Sequence, residues 1–342
     1  MVKHTEFPIH VDIDLSTKCN LRCSFCHLSY FKPKSWTQIS ADQFKAVEPL
    51  LPHLKSMTLF SKYEVLTCRD FIPIFEKISS YDIETYFSTN GILLEDDILD
   101  VLVGNLTYLT VSVTGFDRKS YERHMGLDRL DVVRERLKRL NEKKRERNTD
   151  LPKLRISTVG MLSTLDDLPK AIDFADEFEA SEGVQVTYLK AHGDEMVREM
   201  PLNDPTKFQK ACDLAQAHAD SLGVAFEQQG GTVDEIVEAT KDLGHRYCSM
   251  PWYRLSIQPD GDVYPCPLTS SPIGNLNEQP IEEIWNGESL AAFRARVNVV
   301  EGQNEDCRNC THCRHRNVLD PAANDFSTAQ SYVAGMTRIV SE

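Results

Sequence analysis

No run of about 18 apolar residues occurs in this 342-residue chain, so no segment is long enough to cross a hydrocarbon core as a helix. The opening stretch Val2-Lys3-His4-Thr5-Glu6-Phe7-Pro8 lacks the apolar centre of a secretory signal. A cytoplasmic protein with no membrane partner is expected. Positive charge is scarce: 38 Lys and Arg stand against 52 Asp and Glu, a formal net charge of −14. That balance argues against a surface that tracks phosphates, and no nucleic-acid partner is expected. The basic run from Arg134 to Arg147 is the exception, but Leu137, Leu140 and Glu142 recur within it at helical spacing, as on a solvated helix face. Disulfide scaffolding is also excluded. The chain is too long for a small disulfide framework, and its ten cysteines gather in two tight sets, with only Cys68 and Cys212 outside them.

What is present is a folding core, with 41% hydrophobic residues, and a length that suggests about two domains. From residue 9 to about 230, short apolar runs alternate with longer helical patterns, the signature of parallel βα units. Six strands are predicted: Ile9–Leu15, Ser56–Ser61, Glu84–Thr89, Tyr108–Thr114, Lys153–Met161 and Gly183–Lys190. Amphipathic helices such as Ala41–Leu54 and Thr206–Leu222 follow them. The expected fold is α/β, a partial open (β/α)6 TIM-like barrel over 1–230, since six units leave a barrel unclosed. A linker helix over 231–247 with Thr232 as N-cap, a small α+β module over 248–320 and a tail over 321–342 complete the chain. Within the module, Ser256–Tyr264 reads as a hairpin turning on Asp260-Gly261, a pair suited to a two-residue turn, and a helix is expected over Ile281–Val297.

Directly behind the first strand stands Cys19-Asn20-Leu21-Arg22-Cys23-Ser24-Phe25-Cys26. Three cysteines on an iron–sulfur cube leave one iron without a protein ligand, whereas a purely electron-carrying cluster normally fills all four positions. A zinc knuckle, with His27 as fourth ligand, is the alternative reading of the triplet. The pattern CxxxCx(aromatic)C resembles that of the radical S-adenosylmethionine (SAM) superfamily. The resemblance implies a [4Fe–4S] cluster whose open iron chelates SAM, a 5′-deoxyadenosyl radical that takes hydrogen from a substrate, and an electron donor such as flavodoxin or ferredoxin. It also implies an adenine contact for Phe25 and SAM contacts for Glu64, Asn90 and Ser112. Where the family usually carries Gly-Gly-Glu-Pro after strand two, this chain has Ser61-Lys62-Tyr63-Glu64-Val65, so only the glutamate is retained. Ser88-Thr89-Asn90-Gly91 resembles the family's Thr-Asn-Gly, and Val111-Ser112-Val113-Thr114-Gly115 its strand-four segment with Thr for Asp.

A second set comprises Cys248, Cys266, Cys307, Cys310 and Cys313. Cys248-Ser249-Met250-Pro251-Trp252, Pro259-Asp260-Gly261-Asp262-Val263-Tyr264-Pro265-Cys266 and Ile284-Trp285 resemble the SPASM/twitch extension of radical SAM enzymes. The full SPASM form has seven cysteines, and five imply one auxiliary [4Fe–4S] cluster on Cys248, Cys266, Cys307 and Cys310, with Cys313 as a substitute ligand. Zinc remains the alternative for Cys307-x₂-Cys310.

No motif fixes the reaction. Oxidation or epimerisation of a carbohydrate-type small molecule or natural-product precursor is the leading expectation, because about 18 residues precede Cys19 and peptide-modifying members often carry a leader-gripping domain there. Radical modification of a ribosomal peptide is the nearest alternative, and a non-catalytic iron–sulfur or zinc protein is the alternative of another class. Cys68, as hydrogen donor, and Lys190 and His192, as acid–base groups, are the catalytic candidates. Cys212, inside a helix, reads as packing.

Overall fold

In a computed structural model, the chain is described over residues 6–31, 35–59, 62–189, 191–229, 248–299 and 301–308. The linker helix at 231–247, Lys190, Cys310, Cys313 and the tail lie outside these residues. Ten strands form one sheet: β1 (His10–Ile13), β2 (Ser56–Thr58), β3 (Glu84–Thr89), β4 (Tyr108–Ser112), β5 (Lys153–Gly160), β6 (Val184–Tyr188), β7 (Phe226–Gln228), β8 (Arg254–Ile257), β9 (Asp262–Tyr264) and β10 (Gly274–Asn275). Their order is β10-β9-β8-β1-β2-β3-β4-β5-β6-β7. From β1 to β7 every neighbouring pair is parallel. The six expected strands are all present, and β7 is a seventh that the six-unit reading omits. At three residues it is too short to show an alternation.

The C-terminal module does not build a separate sheet. Its first strand, β8, pairs in parallel with β1, setting His10 opposite Arg254 and Asp12 opposite Ser256. The hairpin β8–β9 forms as expected, but its connection is longer than two residues. Gln258 N–H donates to the Asp262 carbonyl at 2.9 Å, leaving a three-residue loop in which Gly261 takes φ +92°.

Two helix expectations need correction. Ala41–Leu54 is a four-residue helix, Ala41–Phe44, followed by a 3-10 segment, Glu48–His53, because Pro49 and Pro52 cannot donate the bonds of a continuous α-helix. Ile281–Val297 breaks into Ile281–Asn286 and Glu288–Arg294 at Gly287, whose extended ψ of 164° ends the first helix. The basic run is a helix, Leu130–Glu146, in which Arg139 pairs with Asp96 at 3.2 Å and Lys143 with Asp100 at 2.7 Å.

Both faces of β1 are buried. Val11 and Ile13 join the apolar core beneath the helices, while His10, Asp12 and Asp14 alternate onto the opposite face. There the Arg254 guanidinium of β8 forks onto both Asp12 oxygens, and His10 Nδ1 meets Ser56 Oγ at 2.8 Å. This buried polar lattice joins the C-terminal hairpin to the first strand of the barrel.

Candidate active site

The three cysteines of the first set lie between β1 and a 3-10 turn at His27–Ser29, and the loop that bears them is tied down from several sides. Ser24 N–H donates to the His124 carbonyl at 2.9 Å, and Ser29 Oγ donates to the Cys23 carbonyl at 2.7 Å. Asn90 Nδ2 donates to Asn20 Oδ1 at 2.6 Å. Gly126, which caps the helix Arg118–Met125 at φ +85°, lies so close that a Cβ there would stand 2.7 Å from the Arg22 carbonyl oxygen. Gly126→Ala should therefore cost about 1–3 kcal/mol through the left-handed backbone and the clash together, and shift the cysteine loop. Thermal unfolding of the metal-free variant, with the rate of cluster loss after reconstitution, measures both effects.

Burial pushes all three thiols up, Cys19 to about 11, and Cys23 is raised further by the nearby Cys19 and Cys26. Bare thiolates are thus disfavoured, and cationic metal, which deprotonates a coordinating thiol outright, is what makes such a triplet stable in its charged form. The donor set of three sulfurs fits a cube with one open iron. The zinc alternative needs four ligands around one ion. Among the described residues, no three Cys, His, Asp or Glu side chains close on a single ion.

Glu64 follows β2 and is 3% exposed. Thr89 Oγ1 and Leu66 N–H donate to its Oε1 at 2.8 and 3.3 Å, and Asn90 N–H donates to Oε2 at 2.8 Å. Burial nonetheless raises its carboxyl above the usual range. Glu64 thereby ties the loop after β2 to the loop after β3, and its own N–H reaches the Lys18 carbonyl at 3.0 Å, next to Cys19. Ser112, at the end of β4, shares a 3.1 Å hydrogen bond with Ser88 Oγ of β3. All four of these loops open on the C-terminal side of the parallel strands, as in barrel enzymes generally.

Beside the third cysteine is a cavity of about 410 Å³. Phe25 and Cys26 form one wall, Val159 of β5 with Thr187 and Tyr188 of β6 another, and His27 and His192 its polar rim. The two imidazole centroids are 5.9 Å apart, and Tyr63 and Phe31 stand around them. Thus Phe25 and His192 share one cavity, whereas Cys68 does not line it. The Cys68 thiol is 4% exposed in the apolar core and donates to the Ile39 carbonyl at 3.4 Å. Cys212 is packed between Phe208 and Ala215. Thr187 and Tyr188 were not singled out from sequence, although their place at the end of a parallel strand was a usable signal.

In the second set, Cys248 and Cys266 belong to one small apolar cluster with Met250 and Tyr253. Asn298 clamps Cys248, accepting from its N–H at 2.8 Å and donating to its carbonyl at 2.9 Å. Cys307 is brought to the Cys266 loop by its neighbour Asp306, which accepts from Ser270 N–H at 3.0 Å. Cys310 and Cys313 fall outside the described residues.

An open parallel α/β barrel with clustered thiols after its first strand, extended by a cysteine-bearing hairpin, defines a class of iron–sulfur barrel proteins. The radical SAM superfamily model matches residues 13–175, and the SPASM iron–sulfur cluster-binding domain matches residues 248–314. The chain belongs to the radical SAM superfamily, in its subgroup with a C-terminal SPASM domain. These domains imply a SAM-binding [4Fe–4S] cluster and auxiliary iron–sulfur binding, and they make the chain a radical SAM enzyme. The chain is similar to PqqA peptide cyclase of Bradyrhizobium diazoefficiens, 22% identical over 89% of this chain and 78% of that protein. It is also similar to AdoMet-dependent heme synthase of Methanosarcina barkeri, 21% identical over 97% of this chain and 98% of the other. Among solved structures, SuiB of Streptococcus suis bound to S-adenosylmethionine superposes with a TM-score of 0.67 at 16% identity, over 90% of this chain and 72% of SuiB. SuiB has also been solved with its precursor peptide SuiA.

Proposed function

We propose that this enzyme oxidises or epimerises a hydroxylated small molecule at a C–H bond, with Cys19, Cys23 and Cys26 holding the SAM cluster. The bound cluster and SAM supply a 5′-deoxyadenosyl radical that abstracts the hydrogen. The observation that carries this reading is the cavity beside Cys26, whose volume suits a small ligand and whose lining includes two imidazoles and a threonine. Phe25 walls the cavity from water and stacks on the adenine. Asn90 and Ser112 receive the polar end of SAM, and Glu64 holds the loops that carry them. His27 and His192 exchange a proton with the substrate hydroxyl as the carbon is oxidised. Cys248, Cys266 and Cys307, with Cys310 or Cys313, would hold one auxiliary [4Fe–4S] cluster able to accept the electron left on the substrate after its hydrogen atom, with the first electron, has gone to 5′-deoxyadenosine, while a flavodoxin or ferredoxin would supply the electron that cleaves SAM. The barrel spans 1–230, a linker 231–247, the auxiliary domain 248–320 and the tail 321–342.

Peptide modification is the second reading. Two of the relatives are a peptide cyclase and a protein solved with its precursor peptide, and Phe31, 61% exposed beside His192, offers an apolar lip to a longer substrate. Incubation of the reduced, reconstituted chain with SAM and C-deuterated substrates separates the two. Deuterium should enter 5′-deoxyadenosine from a cyclic polyol or amino sugar. Transfer from peptides alone would overturn the small-molecule reading.

A further inference from the structure

Tyr121 has no assigned role, and its environment calls for one. Its hydroxyl is buried, the residue is 0% exposed, and the oxygen has no hydrogen-bond partner among the described residues. A buried hydroxyl left unsatisfied costs about 1–3 kcal/mol, so a phenylalanine would serve packing better. The helix Arg118–Met125 that carries it is the one on which the first cysteine loop rests, through the Ser24 to His124 bond and the Gly126 to Arg22 approach. Met125, one turn further along the same helix face, has its Sδ 3.9 Å from Cys23 Sγ. Tyr121 itself lies near Cys23.

We infer that the Tyr121 hydroxyl donates a hydrogen bond to sulfur of the SAM cluster at its Cys23 corner, acting as a positioning residue that eases reduction of the cluster. The inference rests on the proposal that Cys19, Cys23 and Cys26 hold that cluster. A hydrogen bond to a cluster sulfur favours the more negative, reduced state, and such bonds are among the levers that set cluster potentials. The phenol suits the task because its O–H is a donor at neutral pH, the ordinary pKa of the group being about 10. No electron passes through the side chain.

The test is a potentiometric titration of the reconstituted full chain, Tyr121→Phe against wild type, followed by electron paramagnetic resonance. The SAM cluster is recognised by the change SAM makes in its signal, and the auxiliary cluster serves as internal reference. In the variant the reduced-to-oxidised ratio of the SAM cluster at fixed potential should fall about tenfold, which for a one-electron couple is about 59 mV to the negative side. The auxiliary couple should not move. An unchanged SAM cluster, or an equal shift of both clusters, overturns the inference. Unfolding of the metal-free proteins gives a second reading that does not depend on loading. Tyr121→Phe should unfold at or above the wild-type temperature, since it removes an unsatisfied hydroxyl, and a clear loss of apoprotein stability would reveal a partner inside the polypeptide and overturn the idea. Failure of wild type to load iron on the first triplet would instead sink the underlying proposal, so the two failures are distinguishable.

Discussion

Replacing Cys19, Cys23 and Cys26 together with alanine should lower iron from about eight to about four per chain after anaerobic reconstitution, with 5′-deoxyadenosine formation falling to the protein-free background. The loss should be all-or-none. Three ligands hold one cube, so Cys23→Ala alone should cost nearly as much SAM cleavage as the triple change, the behaviour of residues that act as a unit. The barrel itself should survive, because the thiols sit on a loop whose anchors are other groups: Ser24 N–H, Ser29 Oγ and the Asn20–Asn90 pair. Cys68→Ala is the contrast. It empties a small core site behind Ile39 and should lower stability modestly while all eight irons remain. Iron and acid-labile sulfide assays, with chromatographic quantitation of 5′-deoxyadenosine, decide the matter. Retention of eight irons by the triple variant, or zinc in their place, would remove the first cluster from this loop.

The strand pattern was readable because it is local. Glu84–Thr89 is buried along most of its length, as a strand inside a parallel sheet covered on both faces is, and its bounds agree with expectation to the residue. The cysteine loop, Glu64 and Asn90 could be placed for the same reason, as each follows a strand end that the pattern marks. Expectation failed where a breaker outweighed periodicity, as with Pro49 and Pro52 in the first helix and Gly287 in the last. It also failed where the deciding partner was remote. Glu64 could be singled out, but its carboxylate turns out to be held by Thr89 and Asn90, about 25 residues away. The pairing of Asp12 with Arg254 spans 242 positions, and no window of sequence relates the two. Alternation marked Asp12 as facing away from Val11 and Ile13, but left open whether that face met solvent or another strand.

That remote pair carries the other large expected effect. Arg254→Met should destabilise the chain by about 3–5 kcal/mol at neutral pH, because it strands the Asp12 carboxylate where no water reaches it. Burial alone would push the Asp12 carboxyl up, but Arg254 and His10 outweigh it and hold it well below the carboxylate range. For His10 burial is the leading cause, followed by Arg254, and both depress the imidazole against the opposing pull of Asp12. Ser56 Oγ at 2.8 Å and Thr58 Oγ1 at 3.5 Å complete its surroundings. Both titrations have the same sign. The folded chain binds fewer protons than the unfolded one, so wild-type stability is full above about pH 6.5 and falls as His10, then Asp12, is forced to take a proton. In Arg254→Met the carboxyl rises instead, and the imidazole is relieved of its nearest positive charge. The gap between variant and wild type should therefore narrow from pH 8 to pH 5, whereas a loss of packing alone would leave it constant. Asp12→Leu combined with Arg254→Met should recover most of the deficit, since replacing a buried ion pair by apolar groups of similar volume is often neutral or stabilising. Urea unfolding of wild type, Arg254→Met, Asp12→Leu and the double variant at the two pH values closes the cycle. A pH-independent gap, or a double variant as weak as the single, would mean that β8 is held to β1 by its backbone ladder and not by this pair.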